Sequence, residues 1–328
     1  MNILFITSSR IGDAVLSSGL LAHIAQEYPK AQVTICCGPL CGSLFEGYPN
    51  LKAIIPLKKQ KHHKHWLDLW KAVVSKRWDI VIDLRNSAVS RLIRTRKRYI
   101  FGAHIEKKLH KVEQNAAVMG ITPPHDPQLW FTAKQKQKAQ ALIPEGGAVL
   151  GVGPTANWIG KTWPAERFID VVSWLTEQGG LMAGAHVAVF AAPGEEEPAR
   201  EVLASIPEGK RLDLIAKTDP GTAAAALSLC DFYIGNDSGL MHCAVASGTP
   251  TFGVFGPSKP EIYRPWGEHS AFSSTRESLD ELIGYEGYNS KTCGCLMETL
   301  SVEMVKEQIQ KSWPNMMASS SKSNLKTA

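Results

Sequence analysis

The sequence predicts an α/β protein of two Rossmann-like domains facing each other across a cleft. Three observations predict it. Strand-like and helix-like runs alternate along both halves of the 328 residues. The alternation stops once, at a charged and then Pro/Gly-bearing stretch around 132–147, and restarts. Near the end of the second series a buried-strand pattern turns through Gly235-Asn236-Asp237-Ser238-Gly239 into a short helix. Repeated βα units imply parallel sheets with helices on both faces, and ligands bind such sheets at the carboxyl ends of the strands.

In the first half, Ile3–Thr7, Gln32–Cys37, Ala53–Leu57 and Asp79–Leu84 are apolar, β-branched runs that predict strands. Asp13–Glu27, Trp66–Lys76, Ser87–Thr95 and Lys107–Met119 carry helical spacing. The domain assigned to residues 1–145 ends in a connector over Thr132–Gly147.

The second domain, residues 146–300, restarts with strands Ala148–Gly153, His186–Ala192, Leu212–Ala216, Phe232–Gly235 and Thr251–Phe255. Pro164–Glu177, Glu196–Ala204, Gly221–Leu229 and Ser238–Ala246 are its helices, with Asp237 suited to cap the last and Gly248 and Pro250 suited to stop it. A closing helix from Ser301 to Ser312 falls in a C-terminal segment 301–317, and the Ser/Lys/Asn-rich tail 318–328 reads as disordered.

Composition narrows the function. Hydrophobic residues make up 44% of the chain, yet no run reaches the roughly 20 apolar residues of a membrane span. The first residues read as a strand and not as a signal peptide. Seven cysteines at irregular spacing fit reduced thiols in the cytoplasm, and neither Cys36, Cys37, Cys41 nor Cys293-Gly294-Cys295 makes a zinc pattern. The net charge of +5 is uneven: residues 1–145 hold 22 Lys+Arg against 10 Asp+Glu, the remainder 14 against 21. That asymmetry favours an anionic partner for the first half, whether phosphorylated lipid, membrane surface or nucleic acid. No nucleic-acid-binding motif accompanies the charge, so nucleic acid is not expected. Gly151-Val152-Gly153-Pro154 lacks the third glycine of a dinucleotide turn, and no Walker A sequence occurs.

The candidate chemistry lies at strand ends. Ser238 and Gly239 at a helix start allow an anion, such as a diphosphate, to approach backbone N–H groups, with His242 one turn further on the same face. Thr155 and Lys161 follow the strand ending at Gly153 and suit phosphate oxygens by hydroxyl and by charge. Glu195, after Pro193-Gly194, suits either the next helix's N-terminus or a sugar hydroxyl. Asp13, after Gly12, suits either a helix cap or a general base accepting a proton from a substrate hydroxyl.

The Gly-Asp turn after strand one, Trp78–Arg85, Phe101-Gly102, the Lys-x-Trp-Pro run, Pro-Gly-Glu, and Asp-Ser-Gly-x-x-His-x-Ala with Gly-x-Pro occur here in one order. In that ordered set the chain resembles the ADP-heptose:lipopolysaccharide heptosyltransferases, glycosyltransferase family 9, over roughly residues 1–313. Asn157–Gly160 replaces a more charged loop, Ser238 stands where threonine is frequent, and Cys293-Gly294-Cys295 keeps only part of a cysteine-containing segment.

The resemblance implies a GT-B fold, with acceptor on the N-terminal domain and nucleotide-sugar on the C-terminal one. It implies Asp13 as catalytic base. Thr155, Lys161, Ser238 and Gly239 would hold the diphosphate, Glu195 the ribose and Asp237 the heptose hydroxyls. His242 would stand near the phosphates and Thr218 near adenine. Gly12, Lys64 and Arg85 would serve the acceptor. No cofactor and no metal are expected. The implied reaction is an inverting, metal-independent transfer of heptose from ADP-heptose to an anionic lipopolysaccharide-core acceptor, in the cytoplasm or peripherally on the cytoplasmic face of the inner membrane, with transient membrane contact. The alternatives are a family 9 transferase with another nucleotide-sugar or acceptor, a GT-B-like nucleotide-sugar epimerase, and a non-catalytic binding module.

Overall fold

The computed structural model describes residues 1–290 and 292–318; of the tail, residues 319–328 lie outside the described residues. The chain divides into two α/β units, one of residues 1–135 with 219–222, the other of residues 136–218 with the chain from 223 onward.

The first unit is a five-stranded parallel sheet in the order β3-β2-β1-β4-β5, formed by Asn2–Ile6, Gln32–Cys37, Leu51–Pro56, Trp78–Asp83 and Thr95–Ile100 numbered in chain order. The central strand β1 pairs with β2 and β4, and all but its first residue are buried, as expected for a strand covered on both faces. Leu4, Ile6, Val81, Leu69, Val73 and Trp78 form one core cluster of this unit. Its helices are α1 (Ile11–Leu16), α2 (Ser18–Glu27), α3 (Lys64–Val73) and α4 (Lys111–Ala117), and the connector helix α5 (Ala133–Leu142) starts in this unit and continues into the second.

Two expectations are corrected here. The single helix over Asp13–Glu27 is broken at Ser17, where Ser17 Oγ donates to the Ala14 carbonyl at 2.7 Å and Ser18 Oγ donates to that of Val15. Such back-bonding competes with the helical ladder and bends it. The helix expected over Ser87–Thr95 is a single 3-10 turn, Val89–Arg91, followed by the edge strand β5. Charges at Arg96, Lys97 and Arg98 protect that edge and conceal its strand character.

The second unit is a six-stranded parallel sheet in the order β11-β10-β9-β6-β7-β8. Its strands are β6 (Val149–Gly153), β7 (His186–Ala191), β8 (Arg211–Ile215), β9 (Phe232–Asn236), β10 (Thr251–Phe255) and β11 (Ser270–Ser274). The helices are α6 (Ala165–Thr176), α7 (Glu196–Ser205), α8 (Pro220–Leu227), α9 (Gly239–Ala246), α10 (Pro260–Tyr263), α11 (Leu279–Ile283) and α12 (Val302–Met317). Every residue of β6, β9 and β10 is buried. The closing helix α12 sets Val302, Val305, Ile309 and Met316 into the core and runs on past Ser312 through Pro314.

The Gly151-Val152-Gly153 run has a packing reason. Gly151 pairs with Tyr233 and Gly153 with Gly235, and the Tyr233 ring lies over this row of glycines. A Cβ on Gly151 would stand 3.2 Å from Tyr233 Cδ2, and one on Gly153 or Gly235 would overlap the Tyr233 hydroxyl. The glycines form a trough for one buried aromatic side chain.

Candidate active site

In the second unit the predicted donor residues other than Thr218 lie at the carboxyl ends of β6, β7 and β9. Thr155, buried just beyond β6, donates its hydroxyl to Glu195 Oε2 at 3.1 Å. Lys161 Nζ, in a 3-10 turn over Ile159–Lys161, donates to Asp237 Oδ2 at 3.2 Å. Both partners are largely withdrawn from solvent, with side chains 21% and 10% exposed. Burial raises the Glu195 carboxyl above its ordinary value, and the Thr155 hydroxyl and the Lys161 charge oppose it. Lys161 therefore acts on two carboxylates, one on each neighbouring strand end.

Asp237 is not the helix cap that the sequence suggests. Ser238 is the N-cap of α9, with extended backbone, and its side chain makes no capping bond. Asp237 binds Lys161 instead, because a cation lies within reach of its carboxylate while the helix starts one residue later. Gly239 opens the helix half-buried, and His242 follows one turn on, 4% exposed. Thr218 is half-buried in the loop after β8, where Lys217 pairs with Asp213 at 2.8 Å, and among the described residues no hydrogen bond joins Thr218 to the Lys161 cluster.

Four buried polar atoms at the ends of β9 and β10 have no hydrogen bond: Tyr233 Oη, Asn236 Nδ2, Ser238 Oγ and Ser258 Oγ. Asn236 accepts from the Trp163 backbone N–H at 2.9 Å, which aligns the loop carrying Lys161, while its amide nitrogen is left over. Unsatisfied buried polar groups are uncommon and costly, and those of Asn236 and Ser238, next to the N-terminus of a helix, mark a place suited to a polar, anionic ligand. Tyr233, Asn236 and Ser258 were not singled out in the sequence. Only their position just before and after strand ends could have drawn attention to them.

In the first unit Asp13 lies within the first turn of α1, whose N-cap is Arg10, so Asp13 is not a cap. It is half-buried, and Ser8 Oγ donates to its Oδ2 at 3.4 Å. The same Ser8 hydroxyl accepts from the Arg10 backbone N–H at 3.1 Å and from Arg85 Nη1 at 3.4 Å. Lys111 also lies in the field of Asp13: burial lowers its ammonium, and the Asp13 charge opposes that. Gly12 precedes Asp13 in the same turn.

Arg85 is exposed on a loop that Asp83 organises, its buried carboxylate accepting from the backbone N–H groups of Arg85 and Ser87 and from Ser87 Oγ. Lys64 is exposed at the first position of α3, next to His65. The His65 imidazole is held below its usual range by burial and then by His63, Arg85 and Lys59, so Arg85 and the histidine-rich loop share one basic surface. Non-glycine residues with left-handed φ are His62, His63, Asn86 and Ala216, which flank Lys64, Arg85 and Lys217-Thr218. Backbone strain of this kind gathers at functional loops.

Among the described residues no group of three His, Cys, Asp or Glu side chains could hold a metal ion, none of the seven cysteines forms a disulfide, and no helix is long and apolar enough to cross a membrane.

A family model described as glycosyltransferase family 9 (heptosyltransferase) matches residues 66–282. Lipooligosaccharide heptosyltransferase 2 of Campylobacter jejuni subsp. jejuni is 27% identical over 276 residues, covering 80% of this chain and 83% of that protein. Among solved structures, the glycosyl transferase family 9 protein of Veillonella parvula aligns with a TM-score of 0.75 at 21% identity, covering 95% of this chain and 96% of the other. E. coli ADP-heptose lps heptosyltransferase II aligns at 0.69 and 22% identity, covering 95% and 98%. The two parallel α/β units are the GT-B architecture of these neighbours. With two thirds of its length matched by the family model, the chain belongs to glycosyltransferase family 9 and is a glycosyltransferase.

Proposed function

We propose that this enzyme transfers a heptose from ADP-heptose to an anionic inner-core acceptor of lipopolysaccharide, inverting the anomeric centre and using no metal ion. The observation that carries the proposal is the start of α9, where Ser238 leaves its hydroxyl unused beside the Lys161–Asp237 pair. In this reading Lys161, Thr155, Ser238 and the Gly239 N–H hold the diphosphate. As the glycosidic bond breaks, negative charge grows on the leaving ADP, and fixed cation, hydroxyl and helix dipole stabilise it in place of Mg²⁺. Asp237 holds heptose hydroxyls, Glu195 the ribose, and Thr218 lies toward adenine.

Asp13 takes the proton of the acceptor hydroxyl as that oxygen attacks the anomeric carbon from the face opposite ADP. The C–O bond to ADP breaks as the C–O bond to the acceptor forms, and one displacement inverts the centre. Gly12, Lys64 and Arg85 bind the acceptor. The cationic excess of residues 1–145 supports an anionic, phosphorylated acceptor and transient contact with an anionic bilayer at the cytoplasmic face of the inner membrane. The names of the relatives, heptosyltransferases of lipooligosaccharide and lipopolysaccharide, support the same substrate class.

The deciding experiment measures ADP release from ADP-heptose and from ADP-mannose, each with and without heptose-deficient lipopolysaccharide core. Acceptor-dependent release from ADP-heptose is expected. Release from ADP-mannose alone would assign another donor, acceptor-independent turnover would indicate an epimerase, and ADP binding without product would indicate a binding module. EDTA should leave the rate unchanged, and a loss restored by Mg²⁺ would contradict the metal-free step.

A further inference from the structure

We propose that Tyr233 is a positioning residue for the donor's diphosphate: its hydroxyl donates to Ser238 Oγ when the Ser238 hydroxyl turns to donate to a phosphate oxygen. The inference rests on the proposed donor site and adds to it a residue that never touches the ligand.

The Tyr233 side chain is fully buried in the sheet core. Its ring crosses the glycine trough of Gly151, Gly153 and Gly235, which delivers the hydroxyl to the carboxyl ends of β6 and β9. There it interacts with the Ser238 side chain, but no hydrogen bond of ordinary geometry closes between them, and neither hydroxyl has another partner. A phenylalanine would fill the same trough without leaving a polar atom stranded. Without ligand the phenolic oxygen therefore lowers stability.

Three features give the hydroxyl a use once an anion arrives. Burial pushes the phenol's pKa far above its ordinary value, so it keeps its proton and acts as a donor. Ser238 stands at the N-cap of α9 without a capping bond, so its hydroxyl proton is free to point at a ligand. A serine that donates to phosphate keeps two acceptor lone pairs, and the Tyr233 O–H is the buried donor beside them. Two O–H donors in series polarise each other, which strengthens the outer bond to the anion.

The test is Tyr233→Phe, read by ADP affinity from calorimetry and by the melting temperature without ligand. The expected result has opposite signs: melting temperature unchanged or raised, and ADP Kd weakened roughly two- to tenfold, the worth of one hydrogen bond. Ser238→Ala should weaken ADP binding at least as much, and adding Tyr233→Phe to it should cost nothing more, because the link is already cut. Unchanged ADP affinity in Tyr233→Phe, or full additivity of the two substitutions, would overturn the relay while leaving the donor site standing. A lowered melting temperature with unchanged affinity would make Tyr233 a packing residue only. Failure of the unmodified protein to bind ADP would remove the donor site, and the relay with it.

Discussion

Arg85 reaches Asp13 through a single hydroxyl: Ser8 Oγ accepts from Arg85 Nη1 and donates to Asp13 Oδ2, each at 3.4 Å. The carboxylate is thus aimed by a cation on another loop while remaining half-exposed. Lys111 adds a second positive charge in its field. The half-exposed carboxylate stays open to a substrate hydroxyl.

Replacing Asp13 with Asn keeps the shape and the Ser8 contact but removes the proton acceptor. Turnover should fall by about 10²–10⁴, in the range of lost general-base catalysis, with ADP affinity unchanged. Steady-state rates with a lipopolysaccharide-core acceptor, paired with calorimetric ADP binding, check this. Near-normal turnover would take Asp13 out of the reaction.

Most of the fold was legible in the sequence because the strands that build both sheets are continuous apolar runs with clear stops. β2 and β10 coincide with the expected bounds, Gln32–Cys37 and Thr251–Phe255. What escaped were two of the four edge strands. β5 carries three consecutive basic residues, and β11 is Ser-Ala-Phe-Ser-Ser, too polar and small to show alternation. That Thr155, Lys161, Glu195 and Asp237 all lie at strand ends was legible in the sequence, but the bonds that pair them were not. Asp237 read as a cap because Asp commonly caps, and only the position of Lys161 reveals its other partner. Tyr233 read as one more core aromatic, since its hydroxyl's position depends on glycines some 80 residues earlier, a distance no local pattern reports.

Lys161 and Asp237 should respond differently to removal. Lys161→Ala should weaken ADP binding by about tenfold or more, the order expected for a lost charge-assisted hydrogen bond. It also strands a mostly buried carboxylate, and the stability cost after solvent screening is about 1–2 kcal/mol. Asp237→Asn leaves the cation in place without its counter-charge. ADP should then bind as well or better while turnover with ADP-heptose falls, since the sugar's hydroxyls lose an acceptor. Isothermal titration and initial rates on the two variants separate these effects, and equal losses of ADP affinity in both would contradict the assignment.

Gly153→Ala tests the trough under Tyr233. The new Cβ would overlap the phenolic oxygen and stand 2.9 Å from Cζ, within a fully buried strand pair. Overpacking of this kind costs roughly 1–3 kcal/mol. Combining it with Tyr233→Leu, which shortens the side chain below the clash, should cost less than the two changes summed. Urea unfolding of the single and double variants reads the coupling, and simple additivity would argue against direct contact.

The histidine pair of the first unit should give the protein a pH-dependent stability. His23 Nδ1 and His125 Nε2 are 3.2 Å apart with their rings edge to face, a geometry in which one nitrogen must carry a proton and the other must not. Burial, and then the His125 charge, hold His23 below the ordinary 6.5, and Glu27 opposes them. The unfolded chain, free of these effects, takes up its proton nearer 6.5. It therefore binds more protons than the native state in that window, and stability is lost as pH falls through 6.5. The melting temperature should drop between about pH 7.5 and 5.5. His23→Gln, which keeps a hydrogen-bonding side chain without the titration, should flatten that slope. Equal slopes in the two proteins would show that the pair is not what senses the proton.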